Sequence, residues 1–331
     1  MSVFTTKIPF FILLTIALII CCNLILNFNN YFGVTYLAYG QSEQISSNNT
    51  SSLNIQNISA NKVHVGDIDI AYKIFGKGKP ILLISGSGNV MDVWPTPMLQ
   101  ELSYNRTVII FDNRGVGNTT LGTKPISVEQ MAKDTIGLLD ALKIQQPDVL
   151  GFSMGSFVAE QLTLTHPDRV NRLILYGASC GGQEGIPQSP QVAKIISGFV
   201  NNRTEDVDAF LSVTFPSEWV KAHPNYLETI PRSMEIILSS TLVKQFNAVE
   251  NWLVTNWSGV CDQLAKIYRP VLIITGTEDV AVPSANSLIL AQNIPGAWLV
   301  QIEGAGHGLM YQYPQLFTMV LETFIENTEA N

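Results

Sequence analysis

The chain has 331 residues, 46% of them hydrophobic, which is enough to bury the core of one large domain or two small ones. Only 14% are charged and the formal net charge is −8, which excludes binding along a nucleic-acid backbone: that needs clustered Lys and Arg, and no basic run occurs.

Residues 8–26, "IPFFILLTIALIICCNLIL", form 19 nearly unbroken apolar positions, and after Lys7 no Asp, Glu, Lys, Arg or His appears until Glu43. That length spans a bilayer as a helix. Ala38-Tyr39-Gly40 also offers small residues at the spacing of a signal-peptide cleavage site before Gln41. Residues 1–40 therefore read equally as a membrane anchor or a cleaved signal peptide. With Lys7 the only flanking charge, the amino terminus is expected inside and the bulk of the chain outside the cytoplasm. Contact with membrane is expected only through this segment.

The Asn-, Ser- and Gln-rich stretch 41–61 reads as a flexible tether, leaving 62–329 as the folded domain. Asn-x-Ser/Thr sequons begin at Asn48, Asn49, Asn57, Asn105, Asn118, Asn202 and Asn256, in keeping with a glycan-bearing exterior location. Cys21 and Cys22 lie in the apolar segment, so only Cys180 and Cys261 remain for the domain. Two cysteines define neither a zinc site nor a disulfide framework, and the sequence alone does not bring them within bonding distance.

From residue 62 the pattern alternates apolar β-branched runs with amphipathic segments, which predicts a mostly parallel sheet flanked by helices. Residues 61–76 alternate with period two around Gly66-Asp67 and predict a hairpin at the sheet edge. "PILLIS" (80–85), "TVIIFD" (107–112), "PDVLGF" (147–152), "RLILYG" (172–177), "PVLIITG" (270–276) and "AWLVQIEG" (297–304) each suit a strand buried on both faces. Residues 127–144 carry a helical stripe of Met131, Ile136, Leu138, Leu139 and Leu142, with Ser127 placed to cap it. The alternation breaks over about 183–262, which is expected to be a helical insertion, a lid over one end of the sheet.

In "DVLGFSMGSF" Ser153 stands between a strand and a helix, flanked by Gly151 and Gly155. Glycines there let the backbone turn sharply and leave the hydroxyl exposed at the strand's carboxyl end. A Ser hydroxyl needs a base, and the chain holds four His. His64 belongs to the hairpin, His223 to the insertion, and His166 stands about 20 Å of helix away from Ser153. His307, in the Gly-rich "IEGAGHGLM" after the last strand, can share a rim with Ser153. Asp279 in "ITGTEDVAVP", preferred over its neighbour Glu278, follows another strand and can hold the tautomer of that His. The backbone N–H groups of Met154 and of Ser87, in the "SGSGN" loop, are the expected donors to a developing oxyanion.

"GFSMG", "FDNRGVGNT" (111–119), "HPDRVNRLILYGAS", "GTEDVAVP" and "EGAGHG", in that order, closely resemble the α/β-hydrolase superfamily over about 62–328. The nearest resemblance is to its esterase, enol-lactonase and serine-haloperoxidase-like members. It implies an eight-stranded, mostly parallel sheet flanked by helices with a helical lid. It also implies a serine hydrolase that cleaves carboxylic esters or lactones through Ser153, His307 and Asp279 and an acyl-enzyme, with no metal or organic cofactor and a small carbonyl compound as substrate. Ser rather than Asp as nucleophile argues against haloalkane dehalogenase and epoxide hydrolase chemistry. C–C bond hydrolysis, a cofactor-free perhydrolase or haloperoxidase activity, and a receptor-like role with little turnover stay open. Ser85 replaces the usual His of the oxyanion loop and Ser156 a common second Gly; both bear on substrate and rate more than on mechanism. Asp112 and Arg114 are expected to hold their loop by a charge-assisted bond. Phe199, Phe210, Phe215, Trp219, Trp252 and Trp257 of the insertion are expected mostly to pack the lid onto the core.

Overall fold

The computed structural model describes residues 34–37, 55–201, 207–228, 230–231, 239–254, 256–257 and 259–328. The apolar stretch 8–26 and the cleavage site expected at 38–40 lie outside these residues. Among the described residues no helix is long and apolar enough to cross a membrane.

One sheet organises the chain. Its strands are β1 (Val34–Leu37), β2 (Asn61–Val65), β3 (Ile68–Gly76), β4 (Lys79–Ile84), β5 (Arg106–Phe111), β6 (Asp148–Phe152), β7 (Leu173–Tyr176), β8 (Val271–Gly276) and β9 (Trp298–Ile302), in the order β1-β9-β8-β7-β6-β4-β5-β3-β2. The eight strands expected from the sequence are β2 to β9; β1 adds a ninth beside β9. Only β2–β3 and β3–β5 pair antiparallel, and the hairpin turns at Gly66, whose φ is +62°.

The central strands separate their side chains by parity. Ile81, Leu83, Leu150, Ile174, Leu272 and Ile274 enter one buried cluster; Leu82, Ile84, Val149, Leu173, Val271 and Ile273 enter the other. Period-two geometry sends neighbours to opposite faces, and both faces are covered, so these strands read as continuous apolar runs.

Helices α1 (Thr96–Asn105) and α10 (Pro314–Asn327) cover one face, with Met98, Leu102, Phe317 and Phe324 buried in its cluster. Helices α2 (Val128–Ala141), α3 (Met154–Thr165) and α8 (Ala285–Asn293) cover the other, through residues such as Met131, Phe157 and Leu290. Ser127 caps α2 as expected, its hydroxyl accepting from Gln130 N–H. The short α9 (Leu309–Gln312) leads into α10.

Between β7 and β8 run α4 (Pro190–Asn201), α5 (Val207–Thr214), α6 (Ser217–Ala222) and α7 (Ser239–Leu253), so most of the described residues of 183–262 are helical. Cys180 and Cys261 form a disulfide with Cα atoms 5.1 Å apart, closing the two ends of this insertion. Ile55, within the stretch read as a tether, is 3% exposed and belongs to the core cluster under α1, so folded structure reaches back at least that far.

Candidate active site

Ser153 joins β6 to α3 with φ +53° and ψ −122°, a backbone region that a residue with a side chain avoids at a cost of about 1–3 kcal/mol. The glycines on either side have steric reasons. A Cβ on Gly155 would lie 2.0 Å from the Ile84 carbonyl oxygen, and one on Gly151 would lie 2.4 Å from that of Gly155. Both are therefore needed for α3 to start directly on β4 and β6. The turn is tied to the sheet by Ser153 N–H, which donates to Tyr176 O at 2.9 Å.

His307 follows β9, and Asp279 follows β8. His307 Nδ1 lies 2.7 Å from Asp279 Oδ2. A carboxylate only accepts, so Nδ1 is the donor, and in the neutral imidazole this leaves the lone pair on Nε2. Asp279 is 3% exposed, and its other oxygen accepts Val282 N–H at 2.9 Å. Glu278, the competing acid, is exposed, and its backbone N–H donates to Ala305 O at 2.8 Å.

Residues that local pattern did not single out hold this pair. The buried Tyr176 hydroxyl donates to the His307 carbonyl and accepts from Met310 N–H at 3.3 Å. Burial, and then the charge of Asp279, push the Tyr176 phenol well above its ordinary pKa, so it remains a donor. Gly177, φ +61°, leaves the room His307 occupies: a Cβ there would lie 2.9 Å from His307 Cε1. Gln312 accepts Gly306 N–H at 2.8 Å and pins the loop before His307.

The remaining histidines are elsewhere. His64 pairs with Asp69 in the hairpin, His166 contacts Thr165, and His223 contacts the Trp219 carbonyl.

A cavity of about 270 Å³ opens above the strand ends, with Ser87, Ser153 and His307 in its wall. Gly86 passes so close to Ser153 that a Cβ on it would meet Ser153 Cβ at 3.2 Å, which brings the loop carrying Ser87 beside the hydroxyl. Met154 opens α3, where first-turn N–H groups have no intrahelical acceptor. The rest of the wall is mainly apolar, including Val93, Phe210, Leu211, Phe215, Phe246 and Leu253. Of the six aromatic residues named in the insertion, Phe210 and Phe215 face this cavity. Trp219 packs on Phe215 and Trp252 stacks on Phe157 of α3.

The expected bond of Asp112 and Arg114 needs correcting in its partners. Arg114, fully buried, makes charge-assisted bonds to Asp134 (2.7 and 2.8 Å) and Asp67 (2.9 and 3.1 Å). Asp112 instead accepts the backbone N–H groups of Met91 and Asn118, at 2.7 and 2.9 Å. A two-residue spacing put the charges close in sequence, but their side chains serve different neighbours. Neither lines the cavity.

Residues 79–314 match the family model described as alpha/beta hydrolase fold. The chain is 28% identical over 261 residues to a protein of Azorhizobium caulinodans described as a carbamate hydrolase, RutD, covering 79% of this chain and 96% of the other. It is 28% identical over 267 residues to 2-hydroxymuconate semialdehyde hydrolase of Pseudomonas putida, covering 77% of this chain and 90% of that one. The solved enol-lactonase of Burkholderia xenovorans LB400 superposes with a TM-score of 0.68 at 25% identity, over 80% of this chain and all (100%) of the other. With a strand–Ser–helix turn, an Asp–His pair on neighbouring strand ends and a family model matching most of its length, the chain belongs to the alpha/beta hydrolase fold family.

Proposed function

We propose that this protein is a serine hydrolase that cleaves carboxylic esters or lactones, with Ser153 as nucleophile, His307 as base and Asp279 as its orienting acid. The observation that carries the reading is the 2.7 Å His307–Asp279 bond beside a cavity whose wall also contains Ser153 on its strained turn. Ser153 Oγ attacks the carbonyl carbon while His307 Nε2 takes its proton, and Asp279 stabilises the imidazolium. The oxygen gains negative charge facing the N–H groups of Met154 and Ser87. The C–O bond breaks as His307 returns the proton to the leaving alcohol, and water activated by His307 then releases the acid from Ser153.

The mainly apolar wall supports an uncharged acyl or lactone substrate, and the cavity, just below the ~300–1,000 Å³ usual for ligand sites, supports one of modest size. The enol-lactonase likeness supports the same bond class. The carbamate and C–C hydrolase names of two relatives define the competing carbonyl substrates.

The test is multiple-turnover hydrolysis of short and medium acyl p-nitrophenyl esters and small lactones by the purified full-length chain, beside a carbamate and a vinylogous diketone. Turnover of the first two classes is expected, lost by about 10³-fold or more in Ser153→Ala and Asp279→Asn. Activity that survives Ser153→Ala overturns the mechanism. Stoichiometric fluorophosphonate labelling of Ser153 with no turnover of any substrate favours a receptor-like role.

We infer further that the domain works outside the cytoplasm. The Cys180–Cys261 bond supports an oxidising compartment, where structural disulfides persist, and the apolar stretch 8–26 supports export. Mass spectrometry of the chain from its own cells, without reductant, is expected to find the bond intact; two free thiols in that material would refute this placement.

A further inference from the structure

The loop that carries Ser87 is a four-residue turn, closed by Asn89 N–H donating to Gly86 O at 3.3 Å. Its third residue, Gly88, has φ +70°. Turns with and without a left-handed third residue differ by a flip of the central peptide, here Ser87–Gly88, and glycine admits both forms. Such a flip turns over Gly88 N–H and the Ser87 carbonyl; Ser87 N–H belongs to the preceding peptide and moves only with the loop as a whole.

The partner of Gly88 N–H comes from the helical insertion. Gln245 of α7 is fully buried, and its Oε1 accepts Gly88 N–H at 2.8 Å. A donor at Gly88 fixes the amide's orientation, with the oxygen toward the turn. Its Nε2 has no partner among the described residues, so the bond to Gly88 is the one that places this side chain. Beside it, Leu242 Cδ1 lies 2.6 Å from where a Gly88 Cβ would sit, so α7 packs directly on the turn. The start of the loop is held from the core instead: Asn113 Nδ2 donates to Ser85 O at 3.2 Å, and Ser85 Oγ donates to Asn89 O at 3.2 Å. Core contacts thus fix the base of the loop, while α7 fixes its tip. The same helix lines the cavity through Phe246, Val249 and Leu253.

We propose that Gln245 is a positioning residue for the reaction: by accepting Gly88 N–H it ties the tip of the loop to α7 and so holds Ser87, the preceding residue of the turn, where its own N–H meets the substrate oxygen. An intact oxyanion site then requires α7 to be docked. This rests on the reading of Ser87 N–H as an oxyanion donor given above. Gln245 itself does not touch substrate.

The experiment measures kcat and KM for p-nitrophenyl butyrate with the full-length chain as wild type, Q245L, Q245M and Q245E, with melting curves for each. Q245L and Q245M remove the acceptor at similar volume; Q245E keeps an oxygen at the same reach. Loss of one oxyanion donor costs about 10²–10³-fold in kcat, and misplacing it costs somewhat less. The expected result is a fall in kcat of about 10- to 100-fold for Q245L and Q245M, with KM within about threefold and recovery to within about fivefold of wild type in Q245E. Should Q245L not fold, the comparison of Q245M with Q245E decides. Wild-type kcat in a folded Q245L or Q245M overturns the inference, as does a kcat in Q245E no higher than theirs. Absence of turnover in wild type and Ser153→Ala alike would overturn the hydrolase reading instead, so the two failures are distinguishable.

Discussion

Glu160 lies in α3, the helix that starts at Ser153, fully buried, with both carboxyl oxygens lacking a partner among the described residues. Burial pushes its pKa well above the ordinary value of 4.5, because removing a carboxylate from water without a counter-charge disfavours ionisation. The folded state therefore holds this proton at pH values where the unfolded chain has released it. Stability is favoured below the unfolded pKa and is lost as pH rises from there toward the raised folded value. Glu160→Gln removes that titration while keeping the shape. The stability of E160Q relative to wild type, measured by urea denaturation, is expected to increase with pH above about 4.5, by up to ~1.4 kcal/mol per pH unit until the folded group ionises. Any constant penalty for burying the amide shifts both ends of that profile equally and leaves its slope intact. A difference that does not vary between pH 5 and 8 would mean that the carboxyl has a partner in solution.

At the scale of the elements, the disulfide closes the neck of the insertion between β7 and β8. It joins residues 81 apart and encloses the whole helical insertion. Trp252 ties the same neck by donating from Nε1 to Ser179 O at 2.9 Å, while Val260 N–H donates to Cys180 O at 2.9 Å. On a chain-entropy argument a closed loop of this size contributes about 4.5 kcal/mol. Paired Cys180→Ser and Cys261→Ser changes are expected to lower Tm by about 10 °C, read by calorimetry with the wild type in the absence of reductant. The pairing itself could not be read from the sequence, because two cysteines separated by a long insertion carry no information on where its ends return. The strands were legible for the opposite reason: burial on both faces leaves continuous apolar runs in the sequence, and the turn glycines mark their ends. Ser153, Asp279 and His307 stand in short Gly-bearing motifs at those ends, so their types and order are visible locally. Tyr176 and Gln245 are not visible in this way. Their bonds reach the His307 loop and Gly88, partners 131 and 157 residues away, and nothing near either residue encodes the meeting. Arg114 shows the converse, for its nearness to Asp112 in sequence suggested a pair, while the fold supplied Asp67 and Asp134.

At the scale of the whole molecule, the two buried clusters draw their residues from Ile55 to Ile325. A mature chain cut before Gln41 would lose β1 and keep β2 to β9, both clusters and every residue assigned to the site. Cutting before Lys62 is different. It removes Ile55, 3% exposed, and Ile58, which packs on the same cluster beneath α1 and α10. Burying one such side chain contributes about 1.5–3 kcal/mol, and a domain of this size loses ~2–4 °C of Tm per kcal/mol. The chain 41–331 is therefore expected to keep whatever kcat the full-length protein has for p-nitrophenyl butyrate within about twofold, while 62–331 melts about 5–10 °C lower. Melting curves and p-nitrophenyl butyrate turnover on the three chains check both expectations. If 41–331 does not fold, β1 is an integral edge strand of the sheet, and cleavage before Gln41 is incompatible with an active domain. If 41–331 and 62–331 melt together, the stretch before β2 is a tether throughout, and Ile55 contributes nothing to the core it enters.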